Sequence, residues 1–240
     1  MLLELHNIFA GYDGGDVLKG IDLTVEQGTT TCIVGPNGAG KSTVLRVLSG
    51  LLKPRLGEIT FDGRSIAGLM PRQILALGIV QVPQNHSLFP SMTVEENVRL
   101  GAFSLRNSTL VERRLRELEE MFPVVKERAR DKAGNLSGGQ QRLVEFARCL
   151  MLDPRVILLD EPSMGLDPKT FTQVIGTIKM MQGSGRTILL VEQNARTGLS
   201  ISDNGVVLES GRVRLEGSHT EILNNPEIGH LYLGGTLSKA

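Results

Sequence analysis

With 240 residues, 40% of them hydrophobic, the chain can bury a substantial core, which excludes a small isolated module and points to one large domain or a domain with an inserted lobe. Lysine plus arginine number 26, as do aspartate plus glutamate, so no net charge draws the chain to nucleic acid or to anionic lipid. Cys32 and Cys149 sit in apolar stretches with neither CxxC spacing nor a neighbouring histidine cluster, a pattern of buried thiols in a reducing compartment rather than of a disulfide or a zinc site.

In chain order, Met1–His6 carries an early acidic residue and no basic flank before an apolar core, so it does not read as a signal peptide. No apolar run is long enough to span a bilayer, and a soluble, cytoplasmic chain is expected. Leu2–Ile8, Val17–Val25 and Thr29–Val34 are short, rich in β-branched residues and separated by glycine-containing turns, which predicts strands. Lys41–Leu48 has helical spacing at Val44, Leu45, Val47 and Leu48. Gly57–Asp62 and Ile79–Val82 read as further strands, with a helix begun by Pro71 between them. From about Thr93 to Leu152 the pattern is helical and strand signals nearly vanish. Glu112–Met121 is heavily charged, as on a solvated helix face, and Gln140–Met151 is amphipathic. This predicts an inserted helical lobe over about 89–152, within one domain whose core comprises 1–88 and 153–240. Val156–Leu159 and Thr187–Val191 are almost fully apolar, as expected of strands covered on both faces of a largely parallel sheet, and they flank a helix over Lys169–Met181. Val206–Leu208 and Val213–Leu215 around Ser210-Gly211 predict a hairpin, and a short helical tail starts at His219. The fold class is therefore α/β.

Three motifs carry chemistry. Gly35-Pro36-Asn37-Gly38-Ala39-Gly40-Lys41-Ser42 matches G-x-x-x-x-G-K-[ST] between a strand and a helix, where successive backbone N–H groups curl around a β-phosphate. Lys41 would reach the β and γ oxygens, Ser42 would ligate Mg²⁺, and Thr43 could contact the α-phosphate. Asp160 ends an apolar strand at the sheet edge where open α/β folds bind ligands, which suits Mg²⁺ held through water. Glu161 follows and is placed to accept a proton from the water that attacks the γ-phosphate. Asp160-Glu161-Pro162 would also simply stop a strand; the upstream loop tips the balance toward catalysis. Leu136-Ser137-Gly138-Gly139-Gln140 opens a helix with bare N–H groups facing an anion, and alone it would be an ordinary surface N-cap. Together the three argue for a nucleotide-hydrolysing machine.

On these motifs the chain resembles the ATP-binding subunits of the ABC transporter superfamily over essentially its full length. The resemblance implies a P-loop NTPase cassette with a largely parallel core sheet, an antiparallel β region and the helical lobe. It further implies that Tyr12 stacks on adenine, that Gln84 touches Mg²⁺ or the attacking water, and that Asp167 communicates across a dimer. Asp167-Pro168 is also a common helix start. Ser137, Gly138, Gly139 and Gln140 would bind the γ-phosphate of an ATP held by a second ATPase subunit, in a homodimer or a heterodimer. Two transmembrane permease subunits would tether the cassette to the cytoplasmic face of the membrane, with an external solute-binding protein as an indirect partner and no nucleic acid. At Val191-Glu192-Gln193-Asn194 the family usually places a histidine where this chain has Gln193, which can hydrogen-bond a γ-phosphate but carries no proton or positive charge. His6, His86, His219 and His230 are assigned no chemistry. Met92–Val98, the run Val191–Ala195 and His230–Gly235 are similar to ATPases of branched-chain amino acid importers. Those subunits often carry a glutamate-containing run where Gln84 stands, and the Tyr232-Leu233-Gly234 tail also resembles lipopolysaccharide-export ATPases. A related exporter, an amide or urea importer, and a soluble ABC protein outside transport are the alternatives.

Overall fold

The computed structural model describes residues 1–226 and 228. The first strand already shows how sequence and pairing negotiate. Leu3 and Leu5 alternate inward, but the next buried apolar residues are Ile8 and Ala10, one step out of phase. A register shift between Leu5 and Ile8, with Asn7 at φ 50°, absorbs the extra residue and keeps all four on the buried face. Strand β1 (Leu3–Tyr12) therefore runs past the expected end at Ile8 and closes on β2 (Gly15–Val25), Tyr12 opposite Gly15. With β4 (Leu56–Phe61) and the two-residue β5 (Arg64–Ser65) they form an antiparallel sheet of order β2-β1-β4-β5; β5 is too short to leave a periodic signal.

The second sheet positions the site. After β3 (Thr30–Val34) come α1 (Lys41–Leu48), α2 (Pro71–Ala76) and β6 (Ile79–Val82). Between β6 and β7 (Val156–Asp160) the described chain forms helices: α3 (Val94–Leu100), α4 (Ser108–Met121), α5 (Pro123–Glu127), a 3-10 turn at Ala133–Asn135, and α6 (Gly138–Leu150). Then follow α7 (Pro168–Gly183), β8 (Thr187–Glu192), a short α8 (Ala195–Ser200), the hairpin β9 (Asn204–Glu209) and β10 (Arg212–Ser218), and α9 (His219–Leu223). The strand order is β10-β9-β3-β8-β7-β6, parallel except for the β9–β10 hairpin. Charged α4 buries only Leu115 and Leu118. The tail His230–Gly235 lies outside the described residues.

Alternation along the central strands explains why they look continuously apolar. Cys32, Val34, Ile157, Leu159, Ile188 and Leu190 face one core, which includes the helices around α6. Ile33, Val156, Leu158, Leu189 and Val191 face the other, shared with α1 and the antiparallel sheet. Both thiols are free and buried, and burial pushes the Cys149 thiol up to about 12. The register fixes the carboxyl edge: Val34 lies opposite Glu192, and Asp160 opposite Val191. The loops that leave β3, β7 and β8 thus emerge side by side, where ligands of open α/β sheets bind.

Candidate functional site

The loop between β3 and α1 ends on Gly40 at φ 105°, a left-handed N-cap that only glycine adopts cheaply and that has no side chain with which to cap the helix. The first-turn N–H groups of α1 are left for another acceptor. Lys41 is 5% exposed, and its Nζ donates to the carbonyls of Gly35 (2.8 Å) and Pro36 (3.1 Å). Burial draws its pKa below the usual lysine value, opposed by the charges of Glu161, Asp160 and Glu192. Ser42 Oγ donates to Asp160 Oδ1 at 2.9 Å, joining the start of α1 to the end of β7. Burial raises the Asp160 carboxyl above its ordinary value, while the Ser42 bond and the Lys41 charge pull it back. Thr43, at the next helical position, is buried.

The pair Ser42–Asp160 bears on Mg²⁺. Among the described residues no group of three or more His, Cys, Asp or Glu could enclose a metal ion. One hydroxyl and one carboxylate, both hard oxygen donors, suit a small cation that keeps several waters and takes phosphate oxygens for the rest. The donor set therefore fits Mg²⁺ bound with a nucleotide.

Glu161 is 7% exposed and sits at φ 44°, a left-handed backbone for a non-glycine residue of the kind that collects at functional sites. Its Oε2 accepts from Gln84 Nε2 at 2.9 Å, and Gln84 also lies 3.1 Å from Met164 Sδ. Gln84 belongs to the loop that leaves β6, so the first residue after β7 and the β6 loop meet through that bond. Pro36, Asn37, Glu161, Glu192, Gln193 and Asn194 are among the lining of a cleft of about 1360 Å³. Gln193 is exposed beside Asn194, which caps α8 by accepting from Thr197 N.

Other expected residues stand apart from this cluster. Tyr12 is 49% exposed at the end of β1, with Arg46 of α1 over its ring at 5.9 Å and Arg46 Nη1 donating to its hydroxyl at 3.4 Å. Asp167 caps α7, accepting from Lys169 N (3.0 Å) and Thr170 N (3.2 Å), and bonds from Thr170 and Lys169 hold its carboxyl below the usual value. Ser137 and Gln140 close a capping box at the start of α6, Ser137 N donating to Gln140 Oε1 at 3.0 Å and Gln140 N to Ser137 Oγ at 3.3 Å. Ser137 and Gly138 are exposed. Gly139 is buried for a reason within the chain: a Cβ there would come within 2.1 Å of Thr170 Cγ2 on α7. No hydrogen bond among the described residues joins Ser137–Gln140 to Gly35–Thr43.

Two features escape sequence reading. Arg142 and Glu145 of α6 form an ion pair at 3.0 Å with side chains only 3% and 1% exposed. Arg142 also donates to the carbonyls of Pro83 and Gln84, both at 2.8 Å. Glu145 Oε1 accepts from Ser87 N (2.5 Å) and Ser87 Oγ (3.2 Å), and lies 3.7 Å from His86 Nδ1. Arg148 donates to Ser87 O at 2.8 Å and to Ser87 Oγ. The loop that carries Gln84 is thereby strapped to the helix that Ser137 caps. The second feature is Glu192, 3% exposed at the end of β8. A signal for the strap exists in retrospect: Arg142 and Glu145 share with Phe146 and Cys149 the i, i+3, i+4, i+7 positions of one helical stripe.

A family model described as ABC transporter matches residues 18–164. Over 234 residues the chain is 35% identical to the high-affinity branched-chain amino acid transport ATP-binding protein BraG of Pseudomonas aeruginosa, spanning 98% of this chain and 100% of that one. The crystal structure of the ADP conformation of an ATP-binding cassette of an ABC transporter superposes with a TM-score of 0.88 at 30% identity, over 98% of this chain and 99% of that one. A dimeric structure of a bacterial ABC transporter cassette gives 0.79 at 29% identity, over 91% and 99%.

Proposed function

The chain belongs to the ABC transporter family of ATP-binding, ATP-hydrolysing cassettes, and from that premise we propose that it energises branched-chain amino acid import as the ATPase subunit of a membrane complex. The observation that carries the hydrolytic part is one chain of contacts across the sheet edge. Ser42 is bonded to Asp160, and Gln84 to Glu161, so the phosphate loop, the end of β7 and the β6 loop converge.

In this reading the N–H groups of Gly35, Pro36, Asn37, Gly38, Ala39 and Gly40, where each residue has one, and those of Lys41 to Thr43 cradle the phosphates. Pro36 contributes shape alone. Lys41 exchanges the carbonyls of Gly35 and Pro36 for β and γ oxygens. Tyr12 stacks on adenine, its ring steadied by Arg46. Ser42 would ligate Mg²⁺ directly, with Asp160 and Gln84 around it, and the ion would supply positive charge against the phosphates. Glu161 takes a proton from a water as that water's oxygen bonds to the γ-phosphorus. The bond from the γ-phosphorus to the bridging oxygen breaks, ADP keeps the electron pair, and inorganic phosphate leaves. Gln84 holds the Glu161 carboxylate, and Gln193 offers a neutral hydrogen bond to the γ-phosphate.

The exposed start of α6 suits a partner's nucleotide better than the chain's own. Ser137, Gly138, Gly139 and Gln140 would close on an ATP bound by a second cassette, with Asp167 near the shared interface. Because α6 is strapped to the Gln84 loop, loss of the γ-phosphate at one end is felt at the helices of the other. Two permease subunits would hold the pair at the cytoplasmic face of the membrane. The test is leucine uptake into proteoliposomes that hold the permeases with this chain and its partner cassette. Uptake that requires ATP and is lost with Lys41→Ala supports import. ATP-driven uptake of an amide but not of leucine, or lipid extraction in its place, would replace the solute assignment and leave the ATPase reading intact.

A further inference from the structure

Glu192 occupies a place where a strand buried along its whole length calls for an apolar residue. A carboxylate there is costly unless it is bonded. Its Oε1 accepts the N–H of Ser163 at 3.1 Å, and the carbonyl of the preceding residue, Val191, accepts the N–H of Glu161 at 2.9 Å. The turn that begins at Glu161 and closes with Met164 N donating to Glu161 O at 3.2 Å thus hangs from the end of β8 by two adjacent bonds. The left-handed backbone of Glu161 persists only where its surroundings hold it, and these bonds are the holding contacts on the β8 side. The side chain is closely packed against α8: a Cβ on Gly198 would stand 2.5 Å from Cys32 Sγ and 2.9 Å from Glu192 Cβ.

We propose that Glu192 is a positioning residue for ATP hydrolysis, gripping the Ser163 N–H so that the turn aims the Glu161 carboxylate at the attacking water. The inference rests on the reading of Glu161 as the base. What the position needs is an acceptor oxygen at the reach of a glutamate side chain, not a charge. An amide of the same length supplies it; a shorter acid or an alkyl group does not.

Three variants separate this role from packing and from a second base. In the assembled complex, Glu192→Gln keeps kcat within roughly threefold of wild type, whereas Glu192→Leu and Glu192→Asp lower kcat by roughly tenfold or more, since small displacements of a catalytic group carry costs of that order. The ATP dissociation constant rises by no more than roughly twofold in any of the three, because the Glu192 side chain bonds Ser163 rather than the loop Gly35–Thr43, and losing a negative charge beside Lys41 does not weaken the binding of a polyanion. Hydrogen exchange at the Ser163 amide, followed by mass spectrometry, quickens in Glu192→Leu and Glu192→Asp and not in Glu192→Gln. A packing role predicts that Glu192→Leu turns over normally, and a proton-transfer role that Glu192→Gln falls as far as Glu192→Leu; either result overturns the proposal. Should Glu192→Leu not fold, Glu192→Asp carries the same test. Glu161→Gln serves as the control: normal turnover in that variant would sink the reading of the base, whereas an inert Glu161→Gln beside fully active Glu192→Leu and Glu192→Asp would sink only the inference.

Discussion

Replacing Glu145 with alanine tests whether the strap between α6 and the Gln84 loop holds the fold together at the site. The substitution removes the counterion of Arg142, a guanidinium side chain only 3% exposed, orphans Ser87 N, and leaves Ser87 Oγ with only its bond from Arg148. Breaking a buried pair from one side costs about 3–5 kcal/mol because an uncompensated charge stays behind. Arg142 retains the carbonyls of Pro83 and Gln84 as acceptors, which places the loss near the lower end, about 3 kcal/mol. In a chain of this length each kcal/mol moves Tm by about 2–4 °C, so a fall of about 6–12 °C is expected. Thermal melts followed by circular dichroism read it, and urea titration gives the free energy independently. The double variant Arg142→Met/Glu145→Leu should recover part of the loss, since it removes the uncompensated charge but leaves Ser87 N and the carbonyls of Pro83 and Gln84 without these partners. A Glu145→Ala protein that melts within about 2 °C of wild type would show that the pair does not bear on the packing of α6.

Other outcomes follow from the same geometry. Tyr12→Ala should weaken ATP binding about 5- to 150-fold, the equivalent of about 1–3 kcal/mol of base stacking, with kcat at saturating ATP little changed; a fluorescent-nucleotide titration that finds equal affinity removes Tyr12 from the adenine site. Chelation of Mg²⁺ should stop turnover while nucleotide binding persists, and Asp160→Asn should raise the Mg²⁺ concentration needed for half-maximal rate; a rate indifferent to both speaks against the Ser42–Asp160 assignment. Burial raises the Glu192 carboxyl above its ordinary value of 4.5, so its contribution to stability is fully present below that value and is lost as pH rises through the folded-state pKa. Glutamine does not titrate, so the stability of Glu192→Gln relative to wild type should be lowest at and below pH 4.5 and grow as pH rises from there. A relative stability that declines with rising pH in urea titrations would reverse that sign.

Local signals were readable because local forces produce them. The glycine spacing of Gly35–Gly40 followed by Lys41 and Ser42 is a backbone requirement written in consecutive residues, and the run Val156–Leu159 is apolar because both faces of β7 are covered. Non-local placement was not readable. Gln84 and Glu161 are 77 positions apart, and only the parallel pairing of β6 with β7 brings their loops together. Glu192 reads as a charge at a strand end bound for solvent; the register that sets it opposite Val34 buries it instead. Arg142 and Glu145 suggest a polar helix face by composition, yet that face turns toward Pro83–Ser87 and is sealed by mutual pairing. Strand β1 outran its expected end because a bulge at Asn7 rephases the alternation, and no period-2 template anticipates a bulge. Gly139 illustrates a mixed signal: its motif suggests phosphate binding, and its close contact with Thr170 also requires the absence of a side chain.

Hydrolysis in this cassette depends on Glu161 as the base, and single-turnover release of phosphate from bound ATP is the sharpest measure of that role. Glu161→Gln keeps the shape and the Gln84 contact but cannot take a proton, so in the assembled complex release should slow by about 10²- to 10⁴-fold, while ATP affinity holds and the ATP-bound pair of cassettes persists on size-exclusion chromatography. Undiminished phosphate release from that variant would mean that Glu161 is not the base.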